Sequence, residues 1–118
     1  MDAKASDLRV VGERYYHALD THAYDELDAV LAPSFTQYRP DRTFTEKHEF
    51  IEFMRSGRPN QATTHTIDTW FVSPDSEDAS LVAQGTLHTA EDATLFDFVD
   101  VMTFNSASRL VTLRTYTH

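Results

Sequence analysis

At 118 residues with no cysteine, the chain has the size of one domain that must fold on a hydrophobic core, not on disulfides or a cysteine-held zinc. Its 41% hydrophobic content, with 8 Phe, 5 Tyr and 1 Trp, suits a globule and excludes a disordered chain. The formal charge of −9, from 19 acidic against 10 basic residues, argues against nucleic acid and anionic membrane as partners, because both are bound by basic patches.

The charge has a particular make-up. Lys4 and Lys47 are the only lysines, and aspartates outnumber glutamates. High acidity with so little lysine fits a halophilic protein, where dense salt screens the self-repulsion, and the alternative is an ordinary acidic protein. The start, MDAKASDLRV, has no basic end followed by an apolar stretch, and no run reaches the length of a membrane span. The expectation is a cytoplasmic protein with one domain over residues 1–118.

The elements follow in chain order. Leu8, Val11, Tyr15, Ala18 and Leu19 form a helical stripe, with Ser6 as its expected cap. Thr21 and His22 interrupt it. Leu27, Val30 and Leu31 then mark a second short helix, expected to close at Pro33. FTQYR reads as a strand broken by the turn Pro40-Asp41-Arg42. Thr45 is the expected cap of a third helix, with Phe50, Ile51, Phe53 and Met54 inward and Gly57 and Pro59 at its end.

From Thr63 the pattern turns to strands: THTIDTWFV, SLVAQGTLHT, LFDFVDVMTF and RLVTLRTY, separated by the polar links SPDSED, AEDA and NSAS. Helices first and a meander afterwards give an α+β class, in which a curved antiparallel sheet wraps the helices.

The chemistry concentrates on the third of these strands. A period of two puts Phe96, Phe98, Asp100, Met102 and Phe104 on one face. A carboxylate on so apolar a face is costly to ionise unless it is paired or its pKa rises, which makes Asp100 the first candidate for an acid/base group. With Glu91 and Asp92 at the hairpin tip, Ala83 pairs with Asp100, Gly85 with Phe98 and Leu87 with Phe96. Small residues beside the carboxylate leave room for a ligand, and the same register puts His88 on the other face beside Leu95.

Tyr15 lies on the buried stripe, and a buried phenol seeks a hydrogen-bond partner; a Tyr15–Asp100 pair would polarise a ligand oxygen. A core tyrosine that merely satisfies an aspartate is the competing reading. Arg39 and Arg42 flank Asp41, as an anion site or a local salt bridge. His65 alternates with Ile67 and is either a proton carrier or a hydrogen-bonded core histidine. Tyr38 and Trp70 suit a cavity mouth or a subunit interface. The histidines show no metal-binding spacing, and there is no phosphate loop or nucleophile elbow, so no metal and no cofactor are expected.

The segments ERYYHALDTHAYDELDAVLAPSF, YRPDRTF and FVDVMTFNSASRLVTLRTY resemble the SnoaL-like polyketide cyclases and the ketosteroid isomerases of the nuclear transport factor 2-like superfamily. The resemblance implies a cone-shaped α+β barrel, commonly homodimeric, with a pocket between the helices and a mostly antiparallel sheet. It places Tyr15 as the isomerase's helix tyrosine and Asp100 as its oxyanion-hole acid. Arg39 stands where that family carries its base, and a guanidinium cannot abstract a proton; Asp41 is the nearest substitute. SnoaL-like cyclases use one late-strand aspartate as acid and base, which Asp100 matches.

The expected function is therefore a cofactor-independent isomerase, cyclase or lyase acting on a small hydrophobic or carbonyl-bearing ligand. Asp100 and Tyr15 are the catalytic candidates. Arg39, His65, Tyr38, Trp70, Phe53 and Met102 are candidates for binding the substrate. The alternatives are a non-catalytic ligand-binding domain and a fold whose sheet serves mainly for dimerisation, with Val99, Val101, Val111 and Leu113 as interface candidates.

Overall fold

The computed structural model describes residues 5–58, 62–73, 79–91 and 93–118. Helix α1 (Ala5–Asp20) already contains Ser6, so the expected cap position falls inside the helix. Leu8, Tyr15, Tyr16, Ala18 and Leu19 are its buried hydrophobic residues. The helix stops where His22 takes a φ of 58°, while Ala23 N–H donates back to the Ala18 carbonyl over 2.8 Å. Helix α2 (Tyr24–Val30) follows, with Asp25 and Glu26 in its first turn, where the helix dipole favours negative charge.

Pro33 does not close α2. Strand β1 (Leu31–Tyr38) begins at once and carries Pro33 within it. The pairing of β1 with its neighbour is irregular between Leu31 and Thr36, so the missing proline N–H costs no ladder bond there. The Pro40-Asp41-Arg42 turn leads into β2 (Thr43–Phe44), a two-residue strand the sequence did not announce. The cap of α3 (Lys47–Glu52) is Glu46, not Thr45, and its side chain makes no capping bond. The helix widens into a π-helical turn, Phe53–Gly57, and ends at Arg58; Pro59 lies outside the described residues.

The meander is as expected: β3 (Thr63–Ser73), β4 (Ser80–Thr89), β5 (Thr94–Phe104) and β6 (Leu110–Thr117). The link SPDSED lies mostly outside the described residues, as does Asp92 at the β4–β5 tip. The six strands run in the order β2-β1-β6-β5-β4-β3, antiparallel except where β1 meets β6. This mixed, open and curved sheet with three helices against it is the expected α+β architecture.

The inferred hairpin register holds: Ala83 faces Asp100, Gly85 faces Phe98 and Leu87 faces Phe96. It slips only at the tip, where a bulge sets His88 opposite Thr94 instead of beside Leu95. Along β5, Phe98, Asp100, Met102 and Phe104 are all buried, as the period-two reading requires. Of the interface candidates, Leu113 turns inward and is fully buried, while Val99, Val101 and Val111 are half-buried.

Helix α1 packs over β3 and β4, and α3 over β1. Phe50 joins these layers, with its ring 4.9 Å from Phe35, 6.0 Å from Phe44 and 6.4 Å from Tyr15. A fully buried phenylalanine contributes about 1.5–3 kcal/mol by desolvation alone, so this cluster anchors α3 to the sheet.

Candidate functional site

The inner sheet face and the helices enclose a cavity of about 470 Å³, within the range of small-molecule sites. Asp100 borders it from β5 and is 5% exposed. Its partner is Tyr16, not Tyr15. The Tyr16 hydroxyl donates to Asp100 Oδ2 over 2.6 Å, and Thr115 of β6 donates to Oδ1 over 2.6 Å. Gln37 of β1 in turn donates from Nε2 to Thr115 Oγ1 over 3.0 Å. Four residues from four elements thus form one chain of hydrogen bonds ending on the carboxylate.

The expected Tyr15–Asp100 pair fails on geometry. Neighbouring residues on a helix project about 100° apart, so only one of the two tyrosines can reach Asp100 in this way. Tyr16 points across β3 and β5, with its ring 5.0 Å from His65 and 5.9 Å from Phe98. Tyr15 borders the cavity and lies against Phe50.

Burial pushes the Asp100 carboxyl above its ordinary value. The hydrogen bonds from Thr115 and Tyr16, then the charges of His65 and Arg39, pull it back part of the way. Burial, followed by the nearby Asp100 charge, raises both tyrosines well above a free phenol, so both stay protonated and act as donors.

Beyond Tyr15 and Asp100, three of the expected binding residues border the cavity: Arg39, His65 and Phe53. Tyr38, Trp70 and Met102 do not. Tyr38 follows inward-facing Gln37 on β1, so it projects from the outer face, where the Arg114 guanidinium lies 4.3 Å from its ring centre. Trp70 faces inward but is covered by α1: its ring is 6.1 Å from Tyr16, and Arg9 lies over it at 5.7 Å. Met102 is fully buried between Leu81 and Leu113 of the adjoining strands.

The small residues opposite β5 do not supply the room either. Neither Ala83 nor Gly85 borders the cavity, and a Cβ on Gly85 would stand 2.2 Å from the Thr66 carbonyl oxygen. Gly85 is needed for the close approach of β3, whose register shifts between Ile67 and Thr69.

Arg39 donates from Nε to Asp41 Oδ1 over 3.1 Å, the local salt bridge of the two readings. Desolvation works to raise the Asp41 carboxyl, but Arg39, a backbone hydrogen bond and Arg42 outweigh it and hold it below its ordinary value. Asp41 is therefore the weaker base of the two cavity carboxylates.

His65 brings in a residue the sequence reading missed. Its Nδ1 is 2.6 Å from Asp20 Oδ1, and its backbone N–H donates to Asp20 Oδ2 over 3.0 Å. Asp20 lies four residues after Tyr16, so helical spacing alone puts both on one face. Thr115 was not legible from the NSAS turn: the pairing of Phe104 with Leu110 would set Asp100 opposite Arg114, and the irregularity between Thr103 and Phe104 moves Thr115 there. Gln37 was missed because its role depends on the parallel β1–β6 pairing, which no local pattern specifies. Among the described residues no group of three His, Asp or Glu could hold a metal ion, and no helix is long and apolar enough to cross a membrane.

Comparison with solved structures gives the same architecture. A nuclear transport factor 2-like protein from Cytophaga hutchinsonii aligns over 100% of this chain and 95% of its own, with a TM-score of 0.78 at 13% identity. A candidate polyketide cyclase from Sinorhizobium meliloti aligns over 97% and 100%, with a TM-score of 0.75 at 12% identity. A candidate ketosteroid isomerase from Kribbella flavida aligns over 97% and 79%, with a TM-score of 0.68 at 15% identity. Likeness at these identities establishes the fold and leaves the chemistry to the site. No curated protein matches the chain by sequence. The model of the SnoaL-like domain matches residues 12–112, and the chain belongs to that family.

Proposed function

We propose that this protein is a cofactor-independent enzyme of the isomerase, cyclase or lyase type, with the whole chain forming one catalytic domain. The observation that carries the reading is Asp100: a buried carboxylate with a raised pKa at the edge of a cavity lined largely by apolar side chains. Its ionised form takes a proton from the carbon next to a ligand carbonyl, and the negative charge moves to the carbonyl oxygen. Tyr15, a protonated phenol on the same cavity, donates to that oxygen. Protonated Asp100 then returns its proton, and the cycle closes without cofactor.

Arg39, His65 and Phe53 orient the ligand in this reading, Phe53 by apolar contact and Arg39 as a polar group at the rim. The likeness to a candidate ketosteroid isomerase and a candidate polyketide cyclase supports a carbonyl-bearing hydrophobic substrate. The outer sheet face, where Val99 pairs across from exposed Tyr116, is the surface on which a second copy would form a homodimer.

Exchange of the α-protons of 1-tetralone in deuterium oxide, followed by proton NMR, tests the reading. The wild type should accelerate exchange over buffer, and Asp100→Asn should remove about a hundredfold of that rate, the usual contribution of a positioned acid/base group. Binding of 1-tetralone with no acceleration would make the protein a ligand-binding domain instead.

A further inference from the structure

A second pair, a carboxylate and an imidazole, meets this cavity through its histidine and is built differently from Asp100. Asp20 closes α1 and His65 stands on β3, 45 residues later. The Asp20 carboxylate is held at both oxygens by one residue: Oδ2 accepts the His65 backbone N–H and Oδ1 meets the ring Nδ1 at 2.6 Å. An ionised carboxylate only accepts hydrogen bonds, so the ring proton sits on Nδ1 and the remaining ring nitrogen is Nε2. His65 borders the cavity that Asp100 also borders. Tyr16 stands between them, its ring 5.0 Å from the imidazole and its hydroxyl on the Asp100 carboxylate.

A histidine needed only for packing requires no such grip. Fixing a ring at Nδ1 through a carboxylate sets its tautomer and orientation, as proton transfer at Nε2 demands. From this arrangement we infer that His65 Nε2 is a second proton-transfer atom of the cavity, with Asp20 as its positioning residue, and that the favoured substrate is one in which a proton leaves one atom and another is delivered to a different atom.

The inference rests on the role proposed for Asp100 and adds a second carrier to it. The protons balance as follows. The Asp100 carboxylate takes a C–H proton and becomes a carboxylic acid. The His65 imidazolium gives its Nε2 proton to a second ligand atom and becomes a neutral ring protonated at Nδ1. Asp100 then loses a proton to water and His65 gains one, so the protein is restored and the ligand is isomerised with no net proton uptake.

Cyclohex-3-en-1-one is a suitable probe, because its conversion to the conjugated enone removes a proton at C2 and needs one at C4. In deuterium oxide, exchange at C2 reports the base, and formation of the conjugated enone reports proton delivery at C4, so the two carriers are read separately. The wild type should accelerate both over buffer. His65→Gln should keep exchange at C2 and lower isomerisation about a hundredfold. Asp20→Asn should lower isomerisation with little change in KM.

If His65→Gln leaves the rate of isomerisation unchanged while exchange at C2 persists, the inference fails and the Asp100 reading stands. If the wild type accelerates neither exchange nor isomerisation, both fail together. Imidazole nitrogen NMR gives a check that needs no substrate or variant: neutral His65 should carry its proton on Nδ1 with Nε2 bare, and the opposite tautomer would overturn the inference.

Discussion

The Tyr16 hydroxyl lies 2.6 Å from Asp100 Oδ2, and this bond ties the first helix to the centre of the sheet across 84 residues of sequence. A hydrogen bond to a charged, buried acceptor is worth more than a neutral one. Tyr16→Phe should therefore cost about 2 kcal/mol in urea unfolding at neutral pH. Tyr15→Phe, which leaves the carboxylate's partners in place, should cost less than half of that. Equal losses for the two variants would contradict the geometry.

The raised Asp100 pKa gives a pH dependence of defined sign. In the unfolded chain this group titrates near the ordinary aspartate value, and in the folded protein it titrates higher. Between the two values the folded state binds more protons, so this group's contribution to stability falls as pH rises through that window. Asp100→Asn removes the contribution. Stability curves from acid to neutral pH should show the variant gaining on the wild type as pH rises; parallel curves would show that Asp100 is not perturbed.

Gly85 offers a test of the backbone. A methyl group there would sit 2.2 Å from the Thr66 carbonyl oxygen, which belongs to a paired strand and cannot rotate away. Gly85→Ala should destabilise by about 3 kcal/mol, the upper range of overpacking costs. A melting temperature within 2 degrees of the wild type, as ~0.3 kcal/mol would give, would mean that β3 yields easily at its bulge.

The net charge of −9 sets an expectation for salt. Like charges on a small surface repel in the folded state, and dissolved ions screen them. Unfolding free energy should rise between about 0.1 M and 2 M potassium chloride. A flat response would remove the halophilic reading drawn from composition.

Where local rules govern, the sequence was readable. The stripe of α1, the inward set of β5 and the β4–β5 register all follow from spacing, because a burial pattern of period 3.6 or 2 is a property of one segment. Turn chemistry was read less well. Pro33 looked like a helix stop and Thr45 like a cap, yet the chain entered β1 directly and capped α3 one residue later at Glu46. At Pro33 the reason is pairing across the sheet: Leu31 already meets Leu110 of β6, so the helix ends before the proline can stop it.

By itself, then, the sequence determined the α+β class, the burial of Asp100 and the family likeness, since each depends on residues close together along the chain. Only the tertiary structure decided that Tyr16 and not Tyr15 holds the carboxylate, that Thr115 and Gln37 extend its hydrogen bonds, that Asp20 grips His65, and that Tyr38, Trp70 and Met102 stay away from the cavity. Those facts depend on how α1 is rotated over the sheet and on the parallel meeting of β1 and β6. Such contacts join residues far apart in sequence, and their free energy is settled by the packing of whole elements, which no single segment encodes.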